Sequence, residues 1–95
     1  MRRTAVALLA LLLCIAHAQP VTIGILSPLT GAAAGTGQAQ RAGFELALQE
    51  INEAGGVLGE PLQVVIEDTQ ANNAVALAAF EKLMTEDGVV IFAGG

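Results

Sequence analysis

Apolar and polar positions follow two rhythms along this chain, and the switches between them outline a fold. Val21 to Leu26, "VTIGIL", is an almost continuous apolar run rich in β-branched residues, the pattern of a strand covered on both faces. Pro28 closes it, because proline has no N–H to give to a sheet ladder. From about Gln38 to Ala54 the period lengthens. Phe44, Ala47, Leu48 and Ile51 recur at i, i+3, i+4 and i+7, which predicts a helix with one apolar face. Arg41, Glu45, Gln49 and Glu53 form a solvated stripe on another face, with Arg41 and Glu45 spaced as an ion pair. Gly55-Gly56 stops this helix, since glycine takes the left-handed conformation without a Cβ penalty. "LQVVI", Leu62 to Ile66, entered through a Gly59-Glu60-Pro61 turn, predicts a second strand. A second helix, capped by Asn72 or Asn73, carries Val75, Ala79, Phe80 and Leu83 on its apolar face. Asp87-Gly88 breaks it, and "VVIFA", Val89 to Ala93, predicts a third buried strand.

Strand, helix, strand, helix, strand is the order of a parallel sheet joined by right-handed crossovers, so the expected class is α/β, doubly wound. In such sheets a ligand sits in the crevice beyond the carboxyl ends of the strands. Gly94-Gly95 stands at that end of strand three, where a second binding loop begins.

The N-terminus has another character. Arg2 and Arg3, the apolar stretch Ala5 to Ile15, and Ala16-His17-Ala18 read as a secretory signal peptide, residues 1–18, cleaved after Ala18. The uncharged stretch is shorter than the roughly 20 residues that cross a bilayer as a helix. Arg2-Arg3 lacks the rest of a twin-arginine motif, and Leu13 before Cys14 is bulky where a lipoprotein peptidase needs a small residue. A periplasmic or secreted location by the general route is therefore expected. Cleavage removes the chain's one cysteine, Cys14, and its one histidine, His17. Disulfides, thiolate nucleophiles, imidazole bases and Cys/His metal sites go with them, and no cofactor is expected. Nine acidic residues remain against two basic ones, Arg41 and Lys82, a balance that repels nucleic acid and anionic lipid. Residues 19–95 make a small segment with neither disulfide nor metal to staple it, so we expect them to be the first part of something larger.

The loop before the first helix carries the candidate chemistry. A phosphate loop counted from Gly31 needs glycine at position 36, followed by lysine, and has Thr36 and no lysine. A dinucleotide fingerprint begins at Gly35 and Gly37 and meets Gln40 where its third glycine belongs. Both nucleotide readings fail, which leaves the acidic pair Glu67-Asp68 a structural place at the end of strand two. Adjacent carboxylates on a strand point to opposite faces, so they cannot flank a substrate as an acid/base pair. The loop does hold Ser27, Thr30 and Thr36 before a helix start whose free amides attract carboxylates as well as phosphates. Thr36 is the foremost candidate ligand contact, with Ser27, Thr30 and Gly95 beside it; Gly31, Gly35 and Gly37 are expected to serve tight turns.

From Ile23 to Gly95 the chain resembles the N-terminal portion of the periplasmic leucine/isoleucine/valine-binding proteins, the solute receptors of branched-chain amino acid ABC transporters. The matching stretches are "PLTG", Gly37 at the helix start, "INEAGGVLGEPL", "EDTQ" after strand two, and the approach to "GVVIFAGG". The resemblance implies two α/β lobes closing on a ligand, with residues 19–95 forming the start of lobe one, a type I periplasmic binding fold. It also implies an amino acid or similar small carboxylate or amide as ligand, a membrane permease as partner, and a monomeric full-length protein. In many relatives an aromatic residue stands where this chain has Thr36 and covers the bound amino acid; others bind amides, urea or aromatic acids. An α/β enzyme with catalytic residues downstream, or the ligand-sensing ectodomain of a receptor, are the alternatives.

Overall fold

The computed structural model describes residues 19–95. The expected signal peptide, with Cys14 and His17, lies outside the described residues. Five elements follow in the predicted order: β1 (Val21–Ser27), α1 (Ala34–Glu53), β2 (Leu62–Asp68), α2 (Asn73–Thr85) and β3 (Ile91–Gly94). The strands form one parallel sheet in the order β2-β1-β3. Val21 lies opposite Leu62 and Ser27 opposite Asp68, while on the other edge Ile23 lies opposite Ile91. Leaving β1 in opposite directions, two right-handed crossovers must run over opposite faces. The side chains agree. Ile23, Ile25 and Val64 turn toward Phe44, Ala47, Leu48 and Ile51 of α1, with a groove of about 150 Å³ left between the two layers. On the other face a Cβ at Gly24 would meet Val89, Leu83 and Phe92 at 3.0 to 3.2 Å, so that glycine lets α2 settle on β1.

The core lies along β1 and under α2. Ile25, Leu83 and Val89 are almost wholly buried, each stabilising the fold by about 1.5–3 kcal/mol. Phe80 and Phe92 meet with ring centroids 4.6 Å apart. The stop of α1 is as expected: Gly55 and Gly56 have φ of 109° and 80°, and the Gly56 amide donates to the Ile51 carbonyl at 2.9 Å. Asn52 then ties the helix to the next strand, accepting from the Leu62 amide and donating to the Leu62 carbonyl, both at 2.8 Å. The connecting turn has positive φ at both central residues, Leu58 and Gly59, as a type I′ turn requires. No helix among the described residues is long and apolar enough to cross a membrane.

Each strand runs one or two residues past its expected end, and two element starts differ from expectation. α1 starts at Ala34, four residues before Gln38, because the Ala-rich stretch that reads as loop is a good helix former. Gly35 and Gly37 are therefore helical, and only Gly31, at φ 85°, makes a turn. Gly37 serves close approach instead: a Cβ there would stand 1.8 Å from the Pro28 carbonyl oxygen. At the other boundary β3 begins at Ile91 rather than Val89. The Val89 amide donates to the Leu83 carbonyl at 3.0 Å, closing α2 rather than joining a ladder. β3 is also not a buried strand. It pairs with β1 alone among the described residues, and Phe92 is its one half-buried side chain.

Candidate functional site

Both helices start at the carboxyl edge of the sheet, each one loop beyond a strand end, and the expected site residues fall around those loops. Ser27 closes β1, fully buried, its Oγ donating to Gln40 Oε1 of α1 at 2.7 Å. Thr30 is exposed in the next loop and its Oγ1 donates to Asp68 Oδ2 at 2.5 Å. Asp68 Oδ1 also accepts from the amides of Leu29, Thr30 and Gln70, at 2.8, 3.3 and 2.9 Å. Gln38 of α1 adds a further tie, its Nε2 donating to the Leu29 carbonyl at 3.1 Å. The hydroxyl protons of Ser27 and Thr30 are thus already engaged within the protein. The Thr30 hydroxyl first, then the Gln70 amide, hold the Asp68 carboxyl below the usual carboxylate range.

Thr36 is not in the loop where the sequence placed it. It is the third residue of α1, exposed, within the helix's first turn. Ala33 occupies the cap position and offers no side-chain acceptor. The Gly37 amide donates to the Ala33 carbonyl at 3.1 Å, and the Ala34 amide to the Gly31 carbonyl at 3.1 Å. Within the first turn of α1 the amides of Gly35 and Thr36 have no acceptor among the described residues, and they are the pair that an anion at this helix start would meet.

Gly95, with φ 133°, donates its amide to the Leu26 carbonyl at 3.1 Å. It borders an open crevice of about 300 Å³ with Leu26, Thr69, Ala71, Asn72, Asn73 and Ala76. The floor of that crevice is the β2–α2 loop, a turn closed by the Asn72 amide donating to the Thr69 carbonyl at 2.9 Å. Gln70 and Ala71 both have positive φ, 53° and 52°, a conformation that costs a residue with a Cβ about 1–2 kcal/mol. Thr69 and Asp68 hold it: Thr69 Oγ1 accepts from the Ala71 amide at 3.3 Å, and Asp68 takes the Gln70 amide. Ser27 is thus tied to Gln40 and Thr30 to Asp68, Gly95 lies in the crevice, and Thr36 is not part of the crevice lining.

Both basic residues of the described segment are held in ion pairs. Arg41 pairs with Glu45 at 2.9 Å, as expected from their spacing. Glu67 turns to the opposite face from Asp68 and pairs with Lys82 of α2 at 2.5 Å, which raises the Lys82 pKa. The arrangement offers open amides and a concave edge, which can bind a small anion. Sequence reading missed Asp68, Gln40 and the Thr69–Asn72 turn as parts of this edge. The signal for Asp68 was its place at the end of strand two, beside the end of strand one in any parallel register.

Comparison with known proteins adds an independent finding. A family model described as periplasmic binding protein matches residues 20–95. The leucine-, isoleucine-, valine-, threonine- and alanine-binding protein of Pseudomonas aeruginosa is 39% identical over 77 residues, covering 81% of this chain and 20% of that protein. Among solved structures, the branched-chain amino acid transporter substrate-binding protein of Streptococcus pneumoniae, in complex with isoleucine, matches with a TM-score of 0.77 at 32% identity, over 81% of this chain and 22% of the other. An ABC transporter substrate-binding protein from Sphaerobacter thermophilus matches with a TM-score of 0.74 at 28% identity, over 81% and 20%. The chain thus spans about a fifth of the length of the relatives it matches.

Proposed function

The chain belongs to the periplasmic binding protein family, and we propose that it forms the start of the first lobe of a solute receptor for an ABC importer, binding a small amino acid. The ligand's carboxylate meets this lobe at the start of α1, and closure of a second lobe presents the loaded form to a membrane permease. One structural observation carries the reading: the first turn of α1 has no side-chain cap and leaves the Gly35 and Thr36 amides open at the carboxyl edge of the sheet. Partial positive charge at such a helix start favours a carboxylate. The names of the relatives supply the ligand class, leucine, isoleucine, valine, threonine or alanine. They are binding proteins by name, which leaves the enzyme alternative without support.

Calorimetric titration of the full-length protein with those five L-amino acids tests the reading, and no binding to any of them would reject it. With a ligand in hand, Thr36→Ala is expected to weaken binding by about 1.5–3 kcal/mol if the hydroxyl contacts the carboxylate, roughly tenfold or more. Thr36 is exposed and does not cap α1, so stability should change by no more than about 0.5 kcal/mol. Unchanged affinity would remove Thr36 from the site. The protein works as a monomer, without nucleic acid, outside the cytoplasm. N-terminal sequencing of the exported product should begin Gln19-Pro20, and a retained Met1 would overturn cleavage after Ala18.

A further inference from the structure

We infer that Asp68 is a positioning residue for the ligand-facing rim, setting the β1–α1 and β2–α2 loops with one carboxylate. This deepens the solute-receptor reading and rests on it. Asp68 closes β2, opposite Ser27 in the register, and its two oxygens divide the work. Oδ1 takes the amides of Leu29 and Thr30 on the loop that leads into α1, and the amide of Gln70 on the loop that floors the crevice. Oδ2 takes the Thr30 hydroxyl. Three backbone donors from two loops therefore converge on a single atom.

Both loops need such a tie for their own reasons. Gln70 and Ala71 hold left-handed backbone without being glycine, and a conformation of that kind persists only where its surroundings over-determine it. Leu29 and Thr30 follow Pro28, whose carbonyl oxygen must sit under Gly37 for α1 to start where it does. A shift of this segment would move the Gly35 and Thr36 amides with it. Asp68 is not itself part of the crevice lining and accepts from neither of those amides; it acts through the backbone of its neighbours. The same geometry assigns the Thr30 hydroxyl to the tie rather than to a ligand.

The test compares wild type, Asp68→Ala and Asp68→Asn in the full-length protein, by hydrogen exchange without ligand and by titration with the five L-amino acids named above. Asp68→Ala should speed amide exchange at both 29–31 and 70–71 by about tenfold or more and weaken ligand binding by about tenfold, the scale of lost charge-assisted bonds. Asp68→Asn keeps an oxygen for the amides but loses the charge, so it should show the same paired pattern at both loops in smaller measure, and that pattern is the readout if the alanine variant does not fold. A general structural role would lower the melting temperature without singling out these two loops. Unchanged exchange at either loop, or affinity within twofold of wild type despite faster exchange, overturns the inference. A wild-type protein that binds none of the five rejects the receptor reading instead, and the exchange comparison then decides on its own whether Asp68 orders the loops.

Discussion

The two helices begin at the same edge of the sheet and begin differently. α2 starts at Asn72, whose Oδ1 accepts from the Ala74 and Val75 amides at 2.9 and 3.1 Å, the arrangement of a side-chain cap. α1 starts at Ala33, which can accept nothing with its side chain, and its first turn holds glycine, threonine and glycine. A side chain takes two of the first amides of α2; no side chain caps α1. Gly35 and Thr36 are exposed, so their amides face solvent, and a helix start of this kind can take an acceptor from outside the chain. The cost of leaving it open is offset by fixing α1 elsewhere, through Gly37 on Pro28, Gln38 on Leu29 and Gln40 on Ser27.

The largest way to break this contrast is Gly37→Ala. With the new Cβ at 1.8 Å from a backbone oxygen, either the β1–α1 loop or the helix start must move, and we expect a loss of about 3 kcal/mol or more in denaturant unfolding of the full-length protein. A loss below about 1 kcal/mol would mean that α1 is not seated on Pro28 as described. Asn72→Ala comes next. Removing the acceptor of two amides at α2 should cost about 1 kcal/mol of stability in the same unfolding measurement. A loss below about 0.3 kcal/mol would mean that the Asn72 side chain does not cap α2 as described. Smallest, and opposite in sign, is Gly35→Ala. Nothing lies within 4 Å of its missing Cβ and its φ is not positive, so the helix should gain about 0.5–1 kcal/mol. Stabilisation by Gly35→Ala with weakened ligand binding would show that glycine is kept at this position for access to the amides.

Much of the fold was legible because it is written in periodicity. The α1 face Phe44, Ala47, Leu48 and Ile51 and the α2 face Val75, Ala79, Phe80 and Leu83 follow from spacing alone, and the glycine stop of α1 and the Asn72 cap follow from local chemistry. The start of α1 was not legible, because "AAAGTG" mixes the best helix former with the poorest ordinary one, and tertiary seating of Gly37 decides the matter. Val89 misled for a related reason: burial and strand pairing usually coincide in an apolar run, and here the residue is buried by α2 without joining the ladder. For the candidate site, hydroxyls near a helix start were visible but their partners were not. Whether Ser27 and Thr30 face a ligand or the protein depends on Gln40 and Asp68, and only the register of β1 against β2 brings Asp68 there.

The strand order β2-β1-β3 also sets a timetable. β1 is the first strand in the chain and the central one in the sheet, yet Val21 waits for Leu62 and Ile23 waits for Ile91 before either ladder can form. Each pairing must meet the entropy of closing a long loop before any hydrogen bond rewards it, and parallel pairing of this kind is slow. Until β2 arrives, β1 has no strand beside it, and its apolar side chains remain open to any chaperone that holds extended chains. The delay keeps the centre of the sheet extended until residues 62–94 have been made, so the last strand to be synthesised decides when the first one is finished.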